Sequence, residues 1–313
     1  MKKRVVLALG GNALQKNGEA TAEAQKSVAV KVGEVIAELA DKYEIVVAHG
    51  NGPQVGNILI HEESSSTKKA PAMPLETAVA MSQGQIGYWL TQAINNAFIK
   101  KGRKTKVVTI ISQVVVDRND SAFRNPTKPI GQFYKKEEAL RLAKEKGWTV
   151  KEDSGRGWRR VVASPKPIDI VESKTILELV SDGVIVIAAG GGGIPVYKTK
   201  VLKRIKGVDA VIDKDFAAEK LAELVKADIF VSVTAVPNVY INFGLPEQEA
   251  LGEITANEIL AYKKYGYFKA GSMLPKVEAT VNFAKRGGVG IITDIENLKE
   301  ALSGKAGTII RKK

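Results

Sequence analysis

Six short runs of this chain are apolar on nearly every residue, where a half-exposed strand would be apolar on every second one. They are Arg4–Leu9, Glu44–Ala48, Lys106–Ile111, Gly183–Ala188, Asp228–Val233 and Val289–Ile292. A strand can be apolar on both faces only if both faces are covered, and that is the signature of a largely parallel sheet. Helical spacing fills the intervals, at Ala22–Leu39, Leu75–Ile99, Asp169–Val180, Phe216–Val225 and Lys276–Ala284. Strand–helix alternation implies right-handed crossovers that lay helices on both sides of the sheet. The expected fold is therefore α/β, a three-layer αβα sandwich with an open, mainly parallel central sheet.

One stretch breaks the alternation. Residues 117–167 are polar and turn-rich, with Asn125-Pro126-Thr127-Lys128-Pro129 near the start, a short charged helix at Lys135–Lys146, and Gly155-Arg156-Gly157-Trp158-Arg159-Arg160 near the end. The pattern predicts a small protruding insertion within a single domain spanning 1–313. It is either a lid over the sheet's active edge or an inert surface excursion. Lys128, next to Pro129 and two residues after Pro126, reads as part of a rigid turn.

Composition narrows the chemistry. The 313 residues contain no cysteine and two histidines, His49 and His61, so thiolate and His-rich metal centres are excluded. No segment approaches the roughly 20 apolar residues of a membrane span, and the Val5–Leu9 run is too short for a signal peptide. A cytoplasmic protein with no membrane partner is expected. The 47 Lys and Arg against 34 Asp and Glu give a formal charge of +13, which calls for an anionic partner. No nucleic-acid-binding motif accompanies that charge, and aromatics are only 6%. Small phosphorylated molecules fit better than nucleic acid.

Three glycine-rich turns follow predicted strands directly: Gly10-Gly11-Asn12, Gly50-Asn51-Gly52, and Gly190 to Gly193, which includes Gly191 and Gly192. In open α/β sheets ligands bind beyond the carboxyl ends of the strands. Glycine there lets backbone approach an anion without a Cβ in the way. One such turn is ordinary, whereas three on one sheet edge suggest cradles for a polyphosphate. Neither the P-loop nor the dinucleotide fingerprint is present in the right context.

Two lysines sit where a helix begins, Lys214 in Asp213-Lys214-Asp215 and Lys276 in Met273-Leu274-Pro275-Lys276. A cation is unfavourable at a helix N-terminus, so an anion nearby is implied. Phosphoryl transfer needs such cations around the moving charge. Asp215 reads as a residue that orders the lysines, a magnesium contact, or simply a first-turn acid. Arg156, Arg159 and Arg160 read as an anion site or as a basic hairpin, and His49 as a packing residue. No convincing nucleophile appears, which points to direct in-line transfer.

Taken together these motifs resemble the carbamate kinases, a branch of the amino-acid kinase superfamily, over nearly the whole chain. The glycine turns and the Lys214–Asp215 pair are shared superfamily features, while the insertion carrying Lys128 and Gly155–Arg160 is similar to carbamate kinases specifically. The resemblance implies a homodimer that uses Mg2+ and ATP, with reversible conversion of ATP and carbamate to ADP and carbamoyl phosphate. It implies that Gly10, Gly11 and Asn12 meet the phosphoryl region, and that Gly50, Asn51 and Gly52 hold the carbamate side. Lys128, Lys214 and Lys276 would neutralise the transferred group, with Asp215 ordering them. Gly191, Gly192 and Arg160 join the phosphate set. Val233, Thr234, Tyr240, Phe243 and Met273 would lie near the nucleotide. Magnesium would ride on the nucleotide, with no dedicated protein ligands. Ala235 departs from the Asp that many superfamily kinases carry there. A superfamily kinase for another small carboxylate or for UMP is the alternative.

Overall fold

Alternate residues of the first strand, β1 (Lys3–Leu9), face opposite ways, and both ways are apolar. Val5, Leu7 and Leu9 pack under α1 (Ala22–Leu39) with Ile45 and Val47 of β2 (Tyr43–His49). Val6 and Ala8, with Val46 and Ala48, enter a second core on the other side. Two cores on one sheet make three layers, as the continuous apolar runs predict. The computed structural model describes residues 2–10, 19, 21–153, 155–202, 204–269 and 271–313.

From β2 the chain runs through α2 (Gly52–Ser64), the long α3 (Leu75–Lys100), β3 (Val107–Thr109) and β4 (Gln113–Val116). The insertion follows as β5 (Lys128–Tyr134), α4 (Lys136–Lys146), β6 (Thr149–Glu152) and β7 (Trp158–Val162). Next come β8 (Pro167–Ile170), α5 (Ser173–Ser181), β9 (Ile185–Ile187), β10 (Ile194–Lys198), β11 (Ile205–Gly207), α6 (Lys214–Leu224) and β12 (Ile229–Val233). The last part is β13 (Val239–Ile241), β14 (Glu249–Leu251), β15 (Glu253–Thr255), α7 (Ala256–Lys264), α8 (Met273–Lys285), β16 (Val289–Thr293), α9 (Leu298–Leu302) and β17 (Thr308–Arg311).

The main sheet has the order β15-β17-β16-β12-β1-β2-β9-β3, and within it only the β16–β17 pair is antiparallel. Helices α1, α3 and α9 cover one face; α5, α6 and α8 cover the other. The three glycine turns follow β1, β2 and β9, which are consecutive neighbours. Gly10, Gly50 and Gly190, which open these turns, therefore share one edge. Strand β12, leading to Thr234, is next in line.

Within residues 117–167, β5, β7 and β6 form a separate antiparallel sheet, with α4 against it. Three expectations need correction. Lys128 is the first residue of strand β5 and not part of a turn, because Thr127 and Lys128 already run along β7 at Val162. The helix expected from Asp169 starts only at Ser173, since Pro167–Ile170 pairs with β4 as an edge strand, where a proline is tolerated. The strand expected over Lys106–Ile111 leaves the main sheet early. Gln83 of α3 grips Ser112 through both its amide and its carbonyl, and the chain then joins β10 and β8 in a separate sheet.

Candidate active site

Helix α6 begins at the edge of the sheet where the parallel strands end. Asp213 caps it, its Oδ1 accepting the Asp215 amide at 3.0 Å. Lys214 and Asp215 are the first two helical residues, which turns both side chains inward at the carboxyl end of the sheet. Asp215 is 4% exposed and holds three partners. Its Oδ1 accepts Lys214 Nζ and Ser232 Oγ, each at 2.9 Å, and its Oδ2 accepts Lys276 Nζ at 3.0 Å. Lys276 comes from the first turn of α8, and Ser232 from inside β12. The anion implied by lysines at two helix starts is thus Asp215 itself.

The electrostatics follow from burial. Burial alone would raise the Asp215 carboxyl, but the ammonium groups of Lys214 and Lys276 override it and hold it below the usual carboxylate range. Burial pushes Lys214 down to about 8, opposed by Asp215 and reinforced by Lys276. Lys128 reaches across from β5 and donates to Asp213 Oδ2 at 2.8 Å. Three ammonium groups face two carboxylates, leaving one positive charge for an incoming anion.

The glycine turns are built by packing. The amide of Gly10 donates to Val233 and that of Gly50 to Leu9, which extends the parallel ladders by one residue. These two positions therefore offer clearance more than donors. Gly11 and Asn12 lie outside the described residues. Asn51 is buried, its Nδ2 donating to Ser82 Oγ, and Gly52 starts α2, whose positive end faces the crevice. In the third turn Gly191 has φ +66°, and a Cβ there would stand 2.1 Å from Asn51 Nδ2. Only glycine lets the second and third turns touch.

His49 is 1% exposed, with Nδ1–H donating to the Gly50 carbonyl at 2.9 Å. Burial lowers it to about 4, the Gly50 bond opposing and Lys214 adding to the fall, so it is neutral near pH 7. It is a packing residue, as its place in the sequence suggests. The three insertion arginines do not form one anion site. Arg156 and Arg159 both pair with Asp153, while Arg160 pairs with Asp209 at 2.8 Å and lies over Trp148. Each guanidinium already has a carboxylate.

Of the residues expected near a nucleotide, Val233 is fully buried at the end of β12, and the Thr234 amide donates to the Thr293 carbonyl. Tyr240 and Phe243 pair at 5.9 Å, with Phe243 largely exposed. Met273 is the first residue of α8, one turn before Lys276. Two members of the cluster had no role assigned from sequence, Asp213 and Ser232. The signal for Ser232 is one hydroxyl inside the otherwise apolar run Ile229–Val233. Asp213 showed only as the flank of a lysine.

The chain is similar to known proteins over nearly its whole length. The model of the Amino acid kinase family matches residues 3–293. A carbamate kinase of Pyrococcus furiosus is 54% identical over 98% of this chain and 99% of its own length. Carbamate kinase 1 of Enterococcus faecium is 50% identical with both chains fully covered. Among solved structures, carbamate kinase from Giardia lamblia bound to AMP-PNP superposes with TM-score 0.92 at 43% identity, over 100% of this chain and 99% of that one. With this fold, this cluster and these relatives, the chain belongs to the amino acid kinase family and, within it, to the carbamate kinases.

Proposed function

We propose that this phosphotransferase moves the γ-phosphoryl group of ATP directly onto carbamate, giving ADP and carbamoyl phosphate, and runs the reverse reaction through the same arrangement. The observation that carries the reading is the group of three lysines and two aspartates at the carboxyl ends of neighbouring strands. Lys214, Lys276 and Lys128 neutralise the oxygens of the transferred group, and Asp215 keeps the first two apart and oriented. The turn Gly50-Asn51-Gly52, buried at Gly50 and Asn51, takes the small acceptor. Gly10, Gly11, Asn12, Gly191 and Gly192 serve the phosphates. Val233, Thr234, Tyr240, Phe243 and Met273 serve the adenine and ribose; the AMP-PNP bound by the Giardia lamblia relative favours such a side. Residues 117–167 act as the lid that brings Lys128 over the crevice, with Arg160 bracing it.

Magnesium fits this site as an ion carried on the nucleotide. Among the described residues no group of three or more His, Asp or Glu could cage a metal, and Asp215 already spends both oxygens on hydrogen bonds. Bound there, the ion would screen the β- and γ-phosphate oxygens.

The active unit we propose is a dimer. Helix α3 carries no charge between Glu76 and Lys100, although 26% of the chain is charged. Yet Met81, Tyr88 and Ile99 are 43%, 56% and 69% exposed along one of its faces. Uncharged exposed faces of this kind suit an interface. Beside it runs the edge strand β3, open to a second copy. None of the helices among the described residues is long and apolar enough to cross a membrane.

The deciding assay supplies ADP and carbamoyl phosphate and measures ATP, alongside an acceptor panel of carbamate, acetylglutamate, aspartate and UMP. ATP formation with carbamate as the preferred acceptor is expected; preference for another acceptor would overturn the assignment. A phosphorylated protein trapped from labelled ATP would rule out direct transfer.

A further inference from the structure

Asp213 uses its two carboxylate oxygens differently. Oδ1 caps α6 through the Asp215 amide, and Oδ2 takes the Lys128 ammonium at 2.8 Å, from 85 residues earlier in the chain. The pair is partly shielded, with side-chain exposures of 17% for Asp213 and 33% for Lys128. The lead-in to Asp213 is fastened to the insertion as well. Val211 N–H donates to the Ala163 carbonyl at 2.9 Å, Ala163 and Ala210 form a bridge, and Arg160 pairs with Asp209. Residues 209–213 thus run from the insertion to the first turn of α6 with an insertion contact at each of Asp209, Ala210, Val211 and Asp213.

We infer that Asp213 is a positioning residue: it holds the Lys128 ammonium beside Lys214 and Asp215 before the phosphoryl group arrives. The inference rests on the function proposed above. Capping alone does not call for a carboxylate, since Ser and Asn cap about as well. Fixing a lysine on a flexible four-carbon stem does. Holding that cation in place in advance removes an ordering cost from the transfer step. Because the pair stays partly open to solvent, an incoming phosphoryl oxygen can take over the ammonium from Asp213.

The test is a double-mutant cycle on ATP formation from ADP and carbamoyl phosphate, using Lys128→Ala, Asp213→Asn and both together. Asparagine keeps the cap and drops the charge; Asp213→Ser serves as a second capping variant. Expected for Asp213→Asn is a melting temperature within about 3 °C of the parent. Its kcat falls about 10-fold or more, with KM for ADP changed less than about 2-fold. The double variant is then no slower than Lys128→Ala alone. Losses that multiply, or a parental kcat, would overturn the inference. So would a raised magnesium requirement that persists without Lys128, because that would make Asp213 a metal contact. Failure of the unsubstituted protein to form ATP would strike the proposed function instead.

Discussion

Replacing Asp215 by asparagine keeps the shape of the cluster and removes one charge. Lys214 sits at about 8 because burial lowers it while Asp215 holds it up. Without the carboxylate, the burial and the repulsion from Lys276 remain, so Lys214 falls further. A lysine works here only while protonated, so turnover declines as pH rises through its pKa. In the parent, kcat/KM for ADP should fall above about pH 8. In Asp215→Asn that alkaline limb should move down by about one unit or more. At pH 7 a shift to 7 leaves about half of Lys214 charged, and a shift to 6 leaves about a tenth. Loss of orientation comes on top, for a total of about 10²- to 10³-fold in kcat/KM at pH 7. The deficit should shrink on going to pH 6. Stability should drop too, since removing one partner of a buried ion pair costs roughly 3–5 kcal/mol. In a chain of this size that lowers the melting temperature on the order of 10 °C. The assay is a pH series of initial ATP formation with parent and variant side by side. An alkaline limb that stays near pH 8, or a deficit equal at every pH, would refute the titration argument.

Other substitutions test neighbouring parts. Lys214→Ala should lower turnover by about 10²-fold or more, read in the same assay, and near-parental turnover would remove Lys214 from its role. Gly191→Ala puts a methyl on a positive-φ residue against buried Asn51; about 2–5 kcal/mol of stability should go, seen as a lower denaturant midpoint with unchanged slope. Tyr88→Arg, on the exposed face of α3, should halve the mass seen by light scattering after size exclusion if that face joins two copies. The parent should also gain stability as pH rises from about 8 toward 10.5. Across that window Lys214 has lost its proton in the folded state and keeps it in the unfolded state, so unfolding takes up a proton. A flat melting temperature between those pH values would contradict this.

Much of the fold was legible in the chain because burial on two faces leaves a pattern that local physics can read. Continuous apolar runs announced β1, β2, β9, β12 and β16, and helical spacing announced α1 and α3. The insertion stood out because it lacked such runs. The same logic exposed Lys214 and Lys276, cations set where a helix dipole disfavours them, and the glycine turns that follow strands. What failed was local. The apolar periodicity around Asp169 fits a helix, but β4 needed a strand partner. Nothing near Lys128 in sequence says that it opens a strand.

The sequence by itself determined the layers, the crevice edge and most of the charged groups in it, since each depends on a short window of residues. Only the tertiary structure decided who partners whom. Ser232 reaches Asp215 from 17 residues away, Lys276 from 61, and Lys128 reaches Asp213 from 85. The contact of Gly191 with Asn51 likewise depends on β2 and β9 being neighbours in the sheet. Such pairings depend on strand order, and strand order is set by how the whole chain buries its apolar faces, which no single segment encodes.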